Sequence, residues 1–330
     1  MRGIAMADKA SGRARRLPRA VAAAGLALVT ASACSAGTAM VGAHPSAPAV
    51  GFGSTASPMA SPAPQTCNTS AASLRPTAQA ANGKDVAAIK QRGYLTVGVA
   101  ADQYLTGYLA SDGNEEGFDI DLADAMAKSL FGDSSKAHLH LVAMSTDKRI
   151  PDLQNHTVDL VIDTMTITCT RLTMVDFSAV YYNASQKLLV EKTSGYKGLA
   201  DLAGQKVCAQ TGSTSIQLIQ SQHPAPTAIE VTDISDCLVL LEENQVAAIS
   251  TDDTILAGLA KQDPNLEVVG NALEPEPYGI AMAHGYDDLE EYVNGVLAQY
   301  EADGGWTAAY NQWLAGSLPA AGPPVAQYSD

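Results

Sequence analysis

From about residue 85 the chain alternates two hydrophobic rhythms. Residues 95–100 form a short apolar run, and 120–130 then set Ile120, Ala123, Ala127 and Leu130 on one helical stripe behind polar Asp119. Residues 138–143 alternate apolar and polar as a half-buried strand does, 150–153 open a helical turn, and 158–162 are apolar again. The same order returns further on, with strand patterns at 206–209, 228–231 and 247–250 and helices starting at Ser215 and Ser235. Strands alternating with helices are βαβ units, which build parallel sheets covered by helices. Two such runs predict an α/β protein of two lobes, each with its own sheet. Ligands of such folds sit beyond the carboxyl ends of the strands and between domains. The predicted folded part, about 85–314, is long enough for two cores.

The N-terminal pattern is different. Arg13, Arg15, Arg16 and Arg19 precede an apolar run over 20–33, too short for a membrane-spanning helix, so residues 1–33 read as an export signal. The run ends in Ala31, Ser32, Ala33 and Cys34, which resembles the lipobox of bacterial lipoproteins, with Ala31 where that motif usually has Leu. Cleavage there would leave Cys34 lipidated and the protein anchored on the outer face of the cell membrane. The alternative is a plain secretory peptide followed by an unmodified cysteine. Residues from 35 to about 73 are mostly Ala, Ser, Pro, Gly and Thr, too polar and small to offset their ordering entropy, and a flexible tether is expected over 34–83. A Pro-rich tail is expected over 316–330.

The full chain has a formal net charge of −15. Without Arg2, Lys9, Arg13, Arg15, Arg16, Arg19 and Asp8 of the leader, it is about −20. That balance repels nucleic-acid phosphates and anionic headgroups, so no nucleic-acid partner is expected and the membrane link would be the lipid. One ligand carboxylate can still be held by local cations, because salt screens charges beyond roughly 8 Å. If Cys34 takes lipid, Cys67, Cys169, Cys208 and Cys237 remain, an even number in an exported chain where disulfides persist. Closeness in sequence favours Cys208 with Cys237, leaving Cys67 with Cys169, while the sequence leaves the connectivity open. No Cys-x-x-Cys spacing suggests a zinc or redox site.

Three segments carry candidate chemistry. DTMTITCTR, residues 163–171, offers hydroxyls at Thr164, Thr166 and Thr168 and then the guanidinium of Arg171, whose parallel donors match a carboxylate. The same pattern also suits an edge strand with ordinary threonines and a surface arginine. QTGSTS, 210–215, places Gly212 and the start of a helix after a strand, where free N–H groups favour an anion. Ser213, Thr214 or Ser215 could equally be a helix cap. STDDT, 250–254, puts Asp252 and Asp253 at a strand's carboxyl end, where one could pair with an ammonium and the other cap a helix.

Together with GFDIDLADAMA (117–127), RIPDLQNHTVDLVI (149–162), VDFSAVYY (175–182), DLAGQKVCA (201–209), PYGIAM (277–282) and DGGWTAAYNQWL (303–314), these segments resemble the bacterial extracellular solute-binding proteins of family 3. That family comprises the polar amino-acid binders of ABC importers, and the chain looks closest to the glutamine- and glutamate-type lipoproteins of actinobacteria. The resemblance implies the two-lobed type II periplasmic-binding-protein fold. Its crossings are expected near 183–187 and 277–280, with lobe one over 84–185 and 281–315 and lobe two over 186–280. It makes Arg171 the clamp on a ligand α-carboxylate, helped by Thr166 and Thr214, and Asp252 the holder of the α-ammonium. Thr164, Gly212 and Gln210 would line the pocket. Gln103 and Tyr104 would lie in a loop over the ligand, without the family's usual signature there, and Thr146 replaces a common aromatic lid. Arg149 matches an arginine that contacts a distal carboxylate and so points to an acidic ligand. Asp163 opposes that reading, since a carboxylate facing the pocket would repel an acidic side chain unless it paired with Arg149, and it keeps amide and basic ligands open.

The implied function is capture of glutamate, aspartate or their amides for an ABC permease, by a monomer without cofactor or metal. A sensor that hands the same ligand to a membrane signalling protein would have the same pocket. An enzyme is the other rival, because some dehydratases use this fold, yet no nucleophile–base pair stands out. His138 and His140 could share a strand face, but they lack a third metal ligand in the sequence pattern.

Overall fold

The computed structural model describes residues 67–329. The expected leader, Cys34 and the first part of the tether lie outside the described residues. The described chain begins with a short strand, Ser73–Leu74 (β1), and a helix, Lys84–Arg92 (α1). Leu95–Val99 (β2) follows, then a small antiparallel sheet of Asp102–Gln103 (β3), Gly107–Leu109 (β4) and Glu115–Glu116 (β5). Phe118–Phe131 (α2), Leu139–Ala143 (β6), Arg149–Gln154 (α3), Leu160–Val161 (β7) and Val175–Phe177 (β8) complete the first half.

The second half starts with the long strand Tyr182–Glu191 (β9), then Lys206–Gln210 (β10), Thr214–Ser221 (α4), Thr227–Val231 (β11), Ile234–Glu242 (α5) and Ala248–Asp252 (β12). Asp253–Gln262 (α6), Leu266–Val269 (β13) and Pro275–Tyr278 (β14) follow. The chain then returns through Ala281–Ala283 (β15), Asp287–Ala302 (α7), Gly305–Trp313 (α8) and Tyr328–Ser329 (β16).

Two main sheets result. One has the order β6-β2-β7-β15-β8, with β2 parallel to both β6 and β7. The other has the order β11-β10-β12-β9-β13, with β14 also paired to β9. Each sheet and its helices form one lobe. Because side chains alternate along a strand, both faces of each sheet are buried in separate cores. In the second lobe Leu188, Val190, Val207 and Ala248 pack on one face and Leu189, Cys208 and Ile249 on the other. In the first, Leu160 and Ile162 join the core around Trp306 and Phe118, while Val161 joins that of Phe177 and Met165. The strand β9 pairs with β14 through its first half and with β12 and β13 through its second, so the expected lobe change at 185/186 falls inside a continuous strand.

Residues 67–83, expected within the tether, are folded onto the first lobe. Ser73 is buried, β1 runs parallel to β16, and a disulfide joins Cys67 to Cys169. Glu290 accepts from the Ser73 hydroxyl (2.8 Å) and the Leu74 N–H (2.6 Å), and the Asn294 amide donates to Leu74 O (2.7 Å). These contacts are polar and covalent, so apolar composition gave no signal for them. The same pairing draws the end of the expected tail, Tyr328–Ser329, into a sheet. A second disulfide, Cys208–Cys237, ties β10 to α5. Among the described residues no helix is long and apolar enough to cross a membrane.

Candidate functional site

The segments following β7, β10 and β12 meet in a small, tightly closed cavity between the lobes. Gln103, Thr146, Arg149, Thr164, Thr166 and Arg171 line it from the first lobe. Gln210, Ser213, Thr214, Ser215, Thr251, Asp252 and Ile255 line it from the second. Ile255 is the one aliphatic side chain in this lining, so the walls suit a small polar ligand rather than an apolar one. The larger groove between α2 and α7 lies away from these strand ends, while a second concavity, lined by Thr166, Thr214 and Glu276, adjoins the site.

Arg171 is 7 % exposed at the start of a short 3-10 turn, where its N–H donates to the Thr168 hydroxyl (3.1 Å). Thr168 therefore shapes the turn and does not line the cavity. The Arg171 Nη1 donates to Thr166 O (2.7 Å), and its Nη2 reaches across the cleft to Gly212 O (3.4 Å). Burial and then the neighbouring Arg149 hold its pKa down to about 9. The guanidinium stays cationic at neutral pH in surroundings short of water, the condition in which a carboxylate partner is most favourable.

Asp252 ends β12 and opens α6 without capping it. Its Oδ2 accepts from the Tyr278 hydroxyl (2.7 Å), while its buried Oδ1 has no hydrogen-bond partner among the described residues. Burial, then the carboxyl of Glu276, pushes the Asp252 pKa well above the usual range. A buried carboxylate oxygen left open beside a cavity is a place for a cationic donor. The neighbouring Asp253 instead accepts from the Ser185 hydroxyl (2.9 Å) and is not in the wall.

The remaining first-lobe polar groups are largely engaged with one another. Thr164 has a positive φ of 42°, which turns its N–H onto Asp119 Oδ2 (2.7 Å) and its hydroxyl onto Gln103 Oε1 (3.0 Å). The Gln103 amide donates to Asp163 Oδ1 (3.2 Å). Residues 163–171 are therefore not a strand; Thr166 makes a single bridge to Tyr278. Arg149 donates through Nε to Thr146 O (3.1 Å) and through Nη1 to Asp163 O (2.8 Å), and lies 3.9 Å from the Asp163 carboxylate. Asp163 is 1 % exposed and stands behind the wall, not in it. Its burial raises its pKa to about 7 against the opposing effect of Arg149.

In the second lobe the Ser213 hydroxyl caps α4 by accepting from the Ile216 N–H (3.1 Å), and the Gln210 amide donates to Thr232 O (3.2 Å). Gly212 lies behind the wall, where its φ of 78° permits the chain to come close to Asp147 across the cleft. Tyr104 also misses the wall. Its carbonyl packs on Gly258 of α6, so close that a Cβ there would stand 2.0 Å from the oxygen. Asp102 adds a further interlobe contact by accepting from the Ser235 N–H (3.1 Å). Ser215, Thr251, Ile255, Glu276 and Tyr278 were not among the predicted site residues. Ser215 and Thr251 flank predicted ones in sequence, whereas Glu276 and Tyr278 reach the site only through the pairing of β14 with β9. His138 pairs with Asp133 (3.0 Å) and His140 stacks on Tyr94, and among the described residues no group of three His, Cys, Asp or Glu could hold a metal.

Comparison with known proteins follows the same outline. The pattern of the bacterial extracellular solute-binding proteins, family 3, matches residues 95–316. The chain is 39 % identical to the "ABC transporter glutamine-binding protein GlnH" of Bacillus subtilis (strain 168), over 69 % of this chain and 84 % of that protein. It is 43 % identical to the "Glutamine-binding protein" of Geobacillus stearothermophilus, over 59 % and 74 % respectively. Among solved structures, "An ancestral arginine-binding protein bound to glutamine" superposes with a TM-score of 0.63 at 36 % identity, covering 68 % of this chain and 98 % of that one. The two-lobed α/β architecture is that of the type II periplasmic binding proteins, and the chain belongs to the bacterial extracellular solute-binding proteins of family 3.

Proposed function

We propose that the protein captures a polar amino acid outside the cytoplasm and delivers it to an ABC importer, held at the membrane by lipid on Cys34. One observation carries this reading: the Arg171 guanidinium and the open Oδ1 of Asp252 bound the same polar cavity from opposite lobes. They suit the α-carboxylate and α-ammonium of a zwitterion, with the first-turn N–H groups of α4 beside the carboxylate. Because each end of the ligand belongs to a different lobe, binding and closure are linked, with β9 and the segment 277–280 as the hinge crossings. The names of the relatives support glutamine as the first ligand to test, with glutamate, aspartate and asparagine beside it.

Thermal shift and calorimetry of the purified protein against the common amino acids test the proposal. One polar amino acid should bind with micromolar Kd or tighter, about −8 kcal/mol or better, and raise Tm because it binds the native state alone. Failure of every common amino acid to bind would refute it.

A further inference from the structure

The Cys67–Cys169 disulfide ends on the loop that carries Arg171. Cys169 stands between Arg171 and Thr168, whose hydroxyl accepts from the Arg171 N–H (3.1 Å). Before the disulfide, backbone pins the loop to β14: the Ile167 N–H donates to Pro277 O (2.8 Å), and Thr166 bridges to Tyr278. After it, the Leu172 N–H closes a turn onto Thr168 O (2.9 Å). In the stretch between, the N–H groups of Thr168, Cys169 and Thr170 donate to no acceptor among the described residues. The hydrogen bonds and covalent links that 168–170 make beyond 168–173 all run to Cys67, among the described residues.

The other end of the bond is itself held. Asn68 Oδ1 accepts from the Ser70 N–H (3.2 Å) to cap a 3-10 turn over Thr69–Ala71, and Ser73 and Leu74 then dock on Glu290 of α7. The disulfide therefore ties the loop of Arg171 to a helix of the first lobe. Thr69 and Ser70 also line the concavity that Thr166 to Cys169 border beside the site. The two disulfides differ in access: Cys208 and Cys237 are 0 % exposed, whereas Cys67 is exposed and Cys169 half-buried. Thiol–disulfide exchange requires a thiolate to reach a sulfur, so a dithiol opens Cys67–Cys169 first in the folded protein. The two sulfurs of the dithiol join, and the two electrons and two protons released convert the Cys67–Cys169 bond into two thiols.

We infer that the Cys67–Cys169 disulfide positions Arg171 for its ligand, so that the protein holds an amino acid tightly only while this exposed bond is closed. The inference rests on the amino-acid reading of the site. A loop already fixed in its bound geometry loses less conformational entropy when ligand enters, and a loop released from Cys67 must be ordered by the ligand itself. Cys67→Ser together with Cys169→Ser removes the bond without leaving a free thiol from this pair. The Kd for the tightest-binding of glutamine, glutamate, aspartate and asparagine should rise about tenfold by calorimetry, at a temperature where a urea titration shows the variant fully native.

A bond that serves stability alone would lower the urea midpoint and leave that Kd unchanged, which would overturn the inference. If the double variant does not fold, the unchanged protein in dithiothreitol carries the test. Alkylation and peptide mapping should then find Cys67 and Cys169 labelled and Cys208 and Cys237 protected. The Kd of the unalkylated sample should rise by the same factor and return on reoxidation. An unchanged Kd with the bond open overturns the inference, as does a Cys67–Cys169 bond that resists the dithiol or opens only after Cys208–Cys237. Failure of the oxidised protein to bind any of the four amino acids would strike the proposed function, a separate outcome.

Discussion

Replacing Asp252 with Asn should change ligand binding and ligand-free stability in opposite directions. The Asn carbonyl can still accept from the Tyr278 hydroxyl, now 2.7 Å from Oδ2, while the amide nitrogen takes the position of the unpartnered Oδ1. A bound ammonium would then lose a charge-assisted bond and meet a donor. Removing one partner of a buried charged pair costs roughly 2–5 kcal/mol, so about 3 kcal/mol, or about 150-fold in Kd, is expected. At a ligand concentration about 1,000 times the native Kd, the stabilisation by ligand is about 4 kcal/mol natively and about 1 kcal/mol in the variant. Each kcal/mol corresponds to about 2–4 °C in a chain of this size, so a melting scan resolves the difference. Without ligand the variant no longer buries a carboxylate against its own desolvation and the charge of Glu276, and it should melt above the native protein at pH 8. An unchanged glutamine Kd would refute the ammonium assignment. A lower ligand-free Tm would refute the account of Asp252 as an uncompensated buried charge.

Four other outcomes follow from the same geometry. Arg171→Ala should reduce binding at least 100-fold by calorimetry, because the ligand carboxylate loses its fixed cation in a desolvated site. Gly258→Ala should weaken binding at least tenfold with little loss of ligand-free stability, since its Cβ would meet Tyr104 O of the other lobe and oppose closure; equal affinity would show that this contact is absent from the bound form. Cys67→Ser opens a link spanning 102 residues and should cost about 2–4 kcal/mol in chemical denaturation. Asp119 and Asp163 have pKa values raised to about 7 by burial, so the folded chain holds protons that the unfolded chain releases from about pH 4 upward. Their contribution is largest at low pH and is lost as pH rises towards 7, so the ligand-free Tm should be higher at pH 5 than at pH 8. A Tm flat over that range would count against these shifts.

Much of the site was legible in the chain because its parts sit where strands end. Thr166 and Arg171 follow β7, Thr214 follows β10, and Asp252 closes β12, and each was readable as a polar cluster after an apolar run. Gln103 and Thr164 were also readable as polar, but their mutual hydrogen bond, which commits them to the wall, was not. Asp163 looked like an obstacle to an acidic ligand, and its position in sequence was right while its direction was open. Packing set it behind the wall against Arg149 and Gln103. The tether expectation ran too far because Ser73, Leu74 and Cys67 are held by Glu290, Asn294 and Cys169, partners 102 to 221 residues away.

By itself the sequence determined the alternation of strands and helices, and with it two α/β lobes, because local periodicity decides which face of each element must be buried. It also determined which charges lie at strand ends. Tertiary structure alone decided which of those charges share a cavity, which oxygen of Asp252 is left open, and that Glu276 joins the site from β14. Those outcomes depend on strand pairing between residues such as Glu276 and Ala184, about 90 positions apart, and no local pattern encodes a contact that exists only after the lobes have packed.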